Sequence, residues 1–291
     1  MKTTTQQAPS TNRGTGPLVV AYGGGVNTIA LLIRLRQLNQ TPTAIVMADP
    51  GDEWPETHEY RVKVANPFLD DIGFPRVTVV TLAQEAQYRK RAMKTIHGTL
   101  REECLKRRAI PSIAYGFKKC SQKYKARPSN WYIARQPWAI AAWSRGEKIT
   151  RATGYDMDEE RRALGAFMDP LEARRFQPYY PLINAKIDRD GCIELIESAG
   201  LSLPHKSACM FCPSNKLREW QELHDRHPAH FGRAVVMSEN ADIDSPESVG
   251  LMRCNRAGQR QLHLHVFQPS APSESDYGEA SREALPCDCA L

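Results

Sequence analysis

Short apolar runs alternate with longer stretches of helical periodicity along the first two thirds of the chain. PLVVAY (17–22), TAIVMA (43–48), RVTVVTL (76–82) and KITRATG (148–154) are short, rich in β-branched residues and bounded by turn formers, so they read as strands buried on both faces. Between them, TIALLIRLRQL (28–38) places Ile29, Leu32, Ile33 and Leu35 or Arg36 at helical spacing. Pro55 suits the first position of a helix, with Glu53 and Glu56 near its positive end; that helix should stop at Gly73 and kink at Pro67. A long basic helix is expected from about Glu85 to Arg108, and another from Trp131 to Trp143, bent at Pro137. After PYYPLI (178–183), the run DGCIELIESAG ends on Gly200 as a C-cap, and Ser214 caps a helix reaching about His227. The alternation predicts an α/β fold: a parallel twisted sheet with helices on both faces, Rossmann-like, plus a small Cys-containing C-terminal region. The expected organisation is a leader (1–16), a nucleotide-binding domain (17–184), a helical region with CxxC (185–268) and a flexible tail (269–291) rich in Ser, Pro, Glu and Ala.

Ligands in such sheets bind beyond the carboxyl ends of the strands. Gly23–Gly25, Asp49 and Gly154 all fall there. Three glycines between a strand and a helix bare backbone N–H groups at the positive end of the helix dipole, which suits a phosphate. Asn27 and Thr28 add side-chain donors, and Tyr22 leads into the loop. The loop is neither a Walker A motif nor GxGxxG.

Charge and composition sharpen the picture. The chain has 291 residues, 41% hydrophobic, and a net charge of +6. Residues 85–127 hold thirteen Lys/Arg against three Asp/Glu, a balance of +10, which leaves the remainder near −4. A basic stretch in an otherwise slightly acidic chain suits DNA, tRNA or a phosphorylated ligand; ion pairs such as Glu102/Lys106 and Glu103/Arg107 would instead make it a solvated helix face. No apolar run approaches the ~18 residues of a membrane span, and the polar N-terminus lacks a signal-peptide core, so a cytoplasmic protein without a membrane partner is expected.

The glycine loop resembles the PP-loop of the adenine nucleotide alpha-hydrolase superfamily, SGGKDS before a helix. Gly24 and Gly25 match its two glycines and Thr28 its final serine, while Gly23 replaces the first serine, Val26 the lysine and Asn27 the aspartate. MADPGDEWPETHEY (47–60) resembles the VDTGxxFPET segment of the phosphoadenosine phosphosulfate (PAPS) reductase branch through Asp49, Gly51, Pro55, Glu56 and Thr57. ATGYDMDEERRA (152–163) resembles its TGxRxxESxxR segment, with Gly154, Glu159 and Arg162 as counterparts. YYPLINAKIDRDGCIELIESAGL resembles YPLxxWxxxDVxxYIxxxGL, with Ala185 where tryptophan is usual. CMFCP (209–213) falls where that branch often carries CxxC. The resemblance spans about residues 17–220. It implies ATP or another adenine nucleotide, with phosphates on Gly23–Thr28. Asp49 would lie near the nucleotide or Mg²⁺ (or cap a turn), and Arg161 and Arg162 would clamp a phosphate or sulfate (or pair with Glu159 or Glu160).

Eight cysteines in such a chain suggest metal or redox chemistry, although Cys104, Cys192 and Cys254 read as core residues. CxxC places two thiolates on one turn, and Cys120 would approach from the other side of the crevice. Cys120, Cys209 and Cys212, with Cys287 as a further ligand, suit a 4Fe-4S cluster; a Zn²⁺ site with His205, a redox dithiol and plain core packing remain alternatives. Cys289, beside Cys287, is a candidate nucleophile, in faint resemblance to the mobile terminal cysteine of clusterless PAPS reductases.

These features point first to ATP-dependent, pyrophosphate-releasing sulfur transfer to a nucleic acid, fed by a sulfur-donor protein. A sulfonucleotide reductase forming sulfite is the second reading. The third is an inactive nucleotide-binding subunit of a DNA-modification or defence complex, compatible with the missing loop lysine.

Overall fold

A computed structural model describes residues 13–88, 98–111, 119–164, 170–243 and 251. Residues 1–12 of the expected leader, Cys254, Cys287, Cys289 and the tail lie outside the described residues, as do 89–97 and 112–118 of the basic stretch.

Five parallel strands form one sheet in the order β3-β2-β1-β4-β5: β1 (Leu18–Ala21), β2 (Ala44–Ala48), β3 (Val77–Val80), β4 (Ile149–Thr153) and β5 (Phe176–Tyr179). The chain winds outward from β1 through β2 to β3, then returns to β1's other side for β4 and β5. The order reverses between β1 and β4, the point in such sheets beyond whose carboxyl ends ligands bind.

The described helices are, before β4, α1 (Val26–Gln37), α2 (Pro55–Tyr60), α3 (Asn66–Asp71), α4 (Leu82–Tyr88), α5 (Leu100–Lys106), α6 (Arg127–Ile133) and α7 (Pro137–Ser144). After it come α8 (Glu160–Leu164), α9 (Pro170–Arg175), α10 (Pro181–Asn184), α11 (Arg189–Ser198), α12 (Leu217–Arg226) and α13 (Pro228–Asp242). Strand alternation feeds two cores. Leu18, Val20, Ile45, Met47, Val77, Ala152 and Tyr179 face α1 and α11, whereas Val19, Val46, Val80, Ile149 and Phe176 face Ile133 of α6 and Ala139 of α7. Every strand thus buries both faces, which is why the runs read as continuously apolar.

Several local expectations change for physical reasons. The basic run is not one continuous helix: Thr99 is extended (φ −123°) and starts α5 afresh, its hydroxyl accepting from the Glu102 amide while Glu102 accepts from the Thr99 amide. At Pro67 the helix continues through a π-helical segment, Arg61–Ala65, which joins α2 to α3 and widens the turn before the proline. The same arrangement recurs at Ser121–Ala126 ahead of Pro128 in α6. The helix expected at Trp131 therefore starts earlier and breaks at Ala134–Gln136, with Pro137 opening α7. The cap of α12 is Lys216, not Ser214: the Glu219 carboxylate accepts from the Lys216 amide at 2.7 Å. The fifth strand was hidden by Pro178, which is tolerated because β5 is an edge.

A third apolar cluster lies past the ends of β2 and β3. It joins Trp54 and Leu82 to Leu100 and Cys104 of α5, Tyr124, the 208–212 segment, Trp220 and Leu223 of α12 and Met237 of α13.

Candidate functional site

The glycine loop follows β1, the central strand. The Tyr22 amide still pairs with Val46 O (2.8 Å); thereafter the backbone turns. Gly24 has φ +82°, and a Cβ there would stand 2.7 Å from the Thr57 methyl, so glycine is required twice over. The Thr28 hydroxyl accepts from the Gly23 amide (3.2 Å), and the amides of Thr28 and Ile29 both donate to Gly25 O (3.0 and 3.3 Å). Among the described residues nothing accepts from the amides of Gly24, Gly25, Val26 and Asn27. They form a bare amide cradle at the head of a 12-residue helix. Beside it, the Tyr22 hydroxyl and Thr57 Oγ1 are buried without hydrogen-bond partners. Burial and the neighbouring Tyr60 push the Tyr22 hydroxyl above the usual phenol range.

Asn27 faces away from this cradle. Its amide donates to Asp156 Oδ2 (2.8 Å) and Glu159 Oε2 (2.9 Å), and its oxygen accepts from Arg189 Nη1 (2.9 Å). Arg162 pairs with Glu159 and lies over the Tyr155 ring at 4.7 Å. Burial raises both carboxylates' pKa and lowers that of Arg189. Gly154 completes the joint, since a Cβ there would meet Asn27 O at 2.6 Å. The loop after β4 is therefore pressed against the head of α1, and Asn27 fastens the two together. Arg161 is exposed on α8.

Asp49, at the end of β2, accepts from the Gly51 amide (2.7 Å) and lies 3.5 Å from His58 Nε2. Part of its capacity is spent on a turn, while the other oxygen faces His58.

The CxxC segment reaches the loop from the far side. Trp54 N donates to Ala208 O (3.2 Å), Met210 N to Asp52 O (2.9 Å), and Glu53 and Cys209 form an antiparallel bridge. Ser207, two residues before Cys209, donates its hydroxyl to Gly23 O and lies 3.5 Å from Glu53. The Cys212 amide closes the CxxC turn onto Cys209 O at 2.9 Å. Both thiols are buried, and half-buried Cys120 packs against the same apolar cluster. Among the described residues no three His, Cys, Asp or Glu side chains gather as ligands of a single metal ion. The thiols' chemistry, soft donors in apolar surroundings of Trp54, Met210 and Phe211, is of the kind that holds an iron–sulfur cluster.

Among the described residues of the basic stretch, five cations pair within the chain. Arg101 pairs with Asp52, Arg107 and Lys123 with Glu103, Lys125 with Glu53, and Arg127 with Glu85. Outside the stretch, Lys206 pairs with Glu219. These pairs hold the cysteine-bearing segments together.

Ser207, Asp156 and Arg189 were not singled out from sequence. Each is a common residue type far along the chain from the loop it serves, and no local pattern marks it.

No family model matches the chain, and no curated protein matches it. Among solved structures, the U34-tRNA thiolase NcsA from Methanococcus maripaludis with its 4Fe-4S cluster is similar over 79% of this chain and 72% of that chain, at 14% identity and a TM-score of 0.36. A likeness that slight carries no argument for this chain's chemistry.

Proposed function

We propose that the chain binds an adenine nucleotide, with phosphate oxygens on the amides of Gly24 to Asn27, and activates an acceptor oxygen for replacement by sulfur. The observation that carries this is the contact between the bare amide cradle and the cysteine segment, made by Ser207 on Gly23 and continued through Glu53 to Cys209. Nucleotide and thiol chemistry thereby share one crevice.

In this reading the acceptor oxygen attacks the α-phosphorus of ATP and pyrophosphate leaves. A sulfur nucleophile then displaces AMP together with that oxygen. The loop amides stabilise charge on the phosphate oxygens as the bond to pyrophosphate breaks. Asp49 is the carboxylate available for Mg²⁺. A 4Fe-4S cluster on Cys120, Cys209 and Cys212 would, when bound, supply soft iron sites able to bind sulfur. Asn27 and Arg162 act indirectly, Asn27 by holding the head of α1 against the β4 loop and Arg162 by its pairing with Glu159.

One observation favours the sulfonucleotide-reductase reading: Val26, where the resembled loop carries lysine, is buried in the core, so no cation from that position can meet a leaving pyrophosphate. The experiment offers the anaerobically purified protein labelled ATP or PAPS. ATP-dependent pyrophosphate release supports sulfur transfer, whereas sulfite release from PAPS with no pyrophosphate from ATP replaces it with the reductase.

A further inference from the structure

The chain has five tryptophans, and they fall into two groups. Trp54 and Trp220 are fully buried beside the cysteine segments. Trp131, Trp138 and Trp143 fall within thirteen residues on α6 and α7, and each is only half-buried. Two of these three are faced by arginine. The Arg135 guanidinium lies 5.5 Å from the centre of the Trp131 ring, and that of Arg175 lies 4.8 Å from Trp143. Trp143 also donates its indole N–H to Arg175 O at 3.0 Å, which docks the end of α9 on α7. Asn130 of α6 donates to Glu172 of α9 at 3.1 Å. α6, α7 and α9 therefore form one continuous face over the β4–β5 side of the sheet.

The charge of this face is one-sided. Residues 131–148 and 170–175 hold five Lys/Arg against two Asp/Glu, and both acids are taken. Glu147 accepts two hydrogen bonds from Arg145, and Glu172 pairs with Arg151 of β4 at 2.6 Å. Among the described residues no carboxylate pairs with Lys148, Arg174 or Arg175. In the basic stretch, by contrast, Arg101, Arg107, Lys123, Lys125 and Arg127 each hold a carboxylate.

We propose that the face of α6, α7 and α9 binds a single-stranded stretch of nucleic acid. Its phosphates meet Lys148 and Arg174, and its unstacked bases lie on the paired indole and guanidinium groups. A duplex keeps its bases stacked and offers those groups nothing. Exposed Ile140 and Leu171 would suit a protein contact, but a two-fold contact with a second copy sets this positive face against itself. The head of α6 adjoins the glycine-loop site, because Lys125, just before it, pairs with Glu53 beside Ser207. That the bound strand carries the acceptor oxygen rests on the sulfur-transfer reading; the binding itself does not.

The test measures, by fluorescence anisotropy over a range of salt, how the full chain binds labelled single-stranded RNA, single-stranded DNA and a DNA duplex of the same sequence, with no nucleotide present. Wild type should bind a single strand more tightly than the duplex, and the tighter of the two single strands identifies the sugar. Lys148→Glu/Arg174→Glu, both exposed, should weaken binding about tenfold and lower the salt slope by about 1.4, two phosphates on a single strand. Trp131→Ala should weaken it about fivefold and leave the slope unchanged. Lys106→Glu, exposed on α5 in the basic stretch, should change it little. If Trp131→Ala fails to fold, the two surface charges decide. No binding to wild type at low salt, or a double variant that binds as wild type does, would overturn the proposal. So would a preference for duplex, a larger loss from Lys106→Glu than from the double variant, or a wild-type dimer that the double variant dissolves in sedimentation. Pyrophosphate release from ATP by a chain that binds no strand would leave the sulfur-transfer reading standing and remove only this face from it.

Discussion

The two halves of the candidate site are built in opposite ways. The glycine-loop half is one strand, one turn and one helix, contiguous from Leu18 to Gln37, its shape enforced by backbone and by the buried Asn27 network. The cysteine half is assembled from four separate segments around Asp52, Cys104, Cys120 and Cys209, packed as an apolar cluster and tied by ion pairs. A contiguous site tolerates little change in its own backbone, and this one is braced by a few partners far along the chain. An assembled site tolerates local change but fails when its ties are cut.

Variants can break that contrast, and the largest effect is expected at Gly154. Adding a side chain drives it into Asn27 O, a backbone atom with no freedom to yield, so Gly154→Val should cost about 3 kcal/mol in chemical denaturation, at the upper end of overpacking. A loss under about 1 kcal/mol would show that the joint between β4 and α1 is looser than described.

Asn27→Asp should follow. It converts a shared donor into a third carboxylate beside Asp156 and Glu159, at a cost of about 2 kcal/mol near neutral pH. Because burial already raises both neighbours' pKa, they protonate early as pH falls, and the deficit should shrink on acidification. A pH-independent deficit would contradict the network.

Ser207→Ala cuts the tie between the halves. A loss of about 1 kcal/mol in stability is expected, with weaker nucleotide binding and unchanged iron content. Loss of iron without loss of nucleotide affinity would reverse the roles given to the two halves.

Asp52→Asn probes the cysteine half through pH alone. Burial pushes Asp52 up from 3.8 to about 6, against the pull of Arg101. With the folded value above the unfolded one, its contribution is full below about pH 4 and is lost as pH rises through about 6. The variant should flatten that decline; an unchanged slope would assign it to other groups.

Legibility in the sequence follows the same contrast. Four of the five strands could be read because each buries both faces and needs no partner to declare it. β5 escaped because an edge strand can carry Pro178. The glycine loop was visible because bare backbone between a strand and a helix has few other uses. The part of Asn27 was not, because its partners lie 129 and 132 residues further along, and a lone amide can donate to phosphate or carboxylate alike. The grouping of Cys120 with the CxxC could be anticipated from the resemblance to a family.

The central claim is that the amide cradle from Gly24 to Asn27 holds a nucleotide phosphate. Its most direct test is calorimetric titration of ATP with magnesium into wild type and into Gly24→Val, where the positive φ and the Thr57 methyl both oppose a side chain. The account predicts saturable binding to wild type and none to a variant whose circular dichroism and cysteine accessibility are unchanged. Equal affinity in the two proteins, or no binding to wild type, would contradict it.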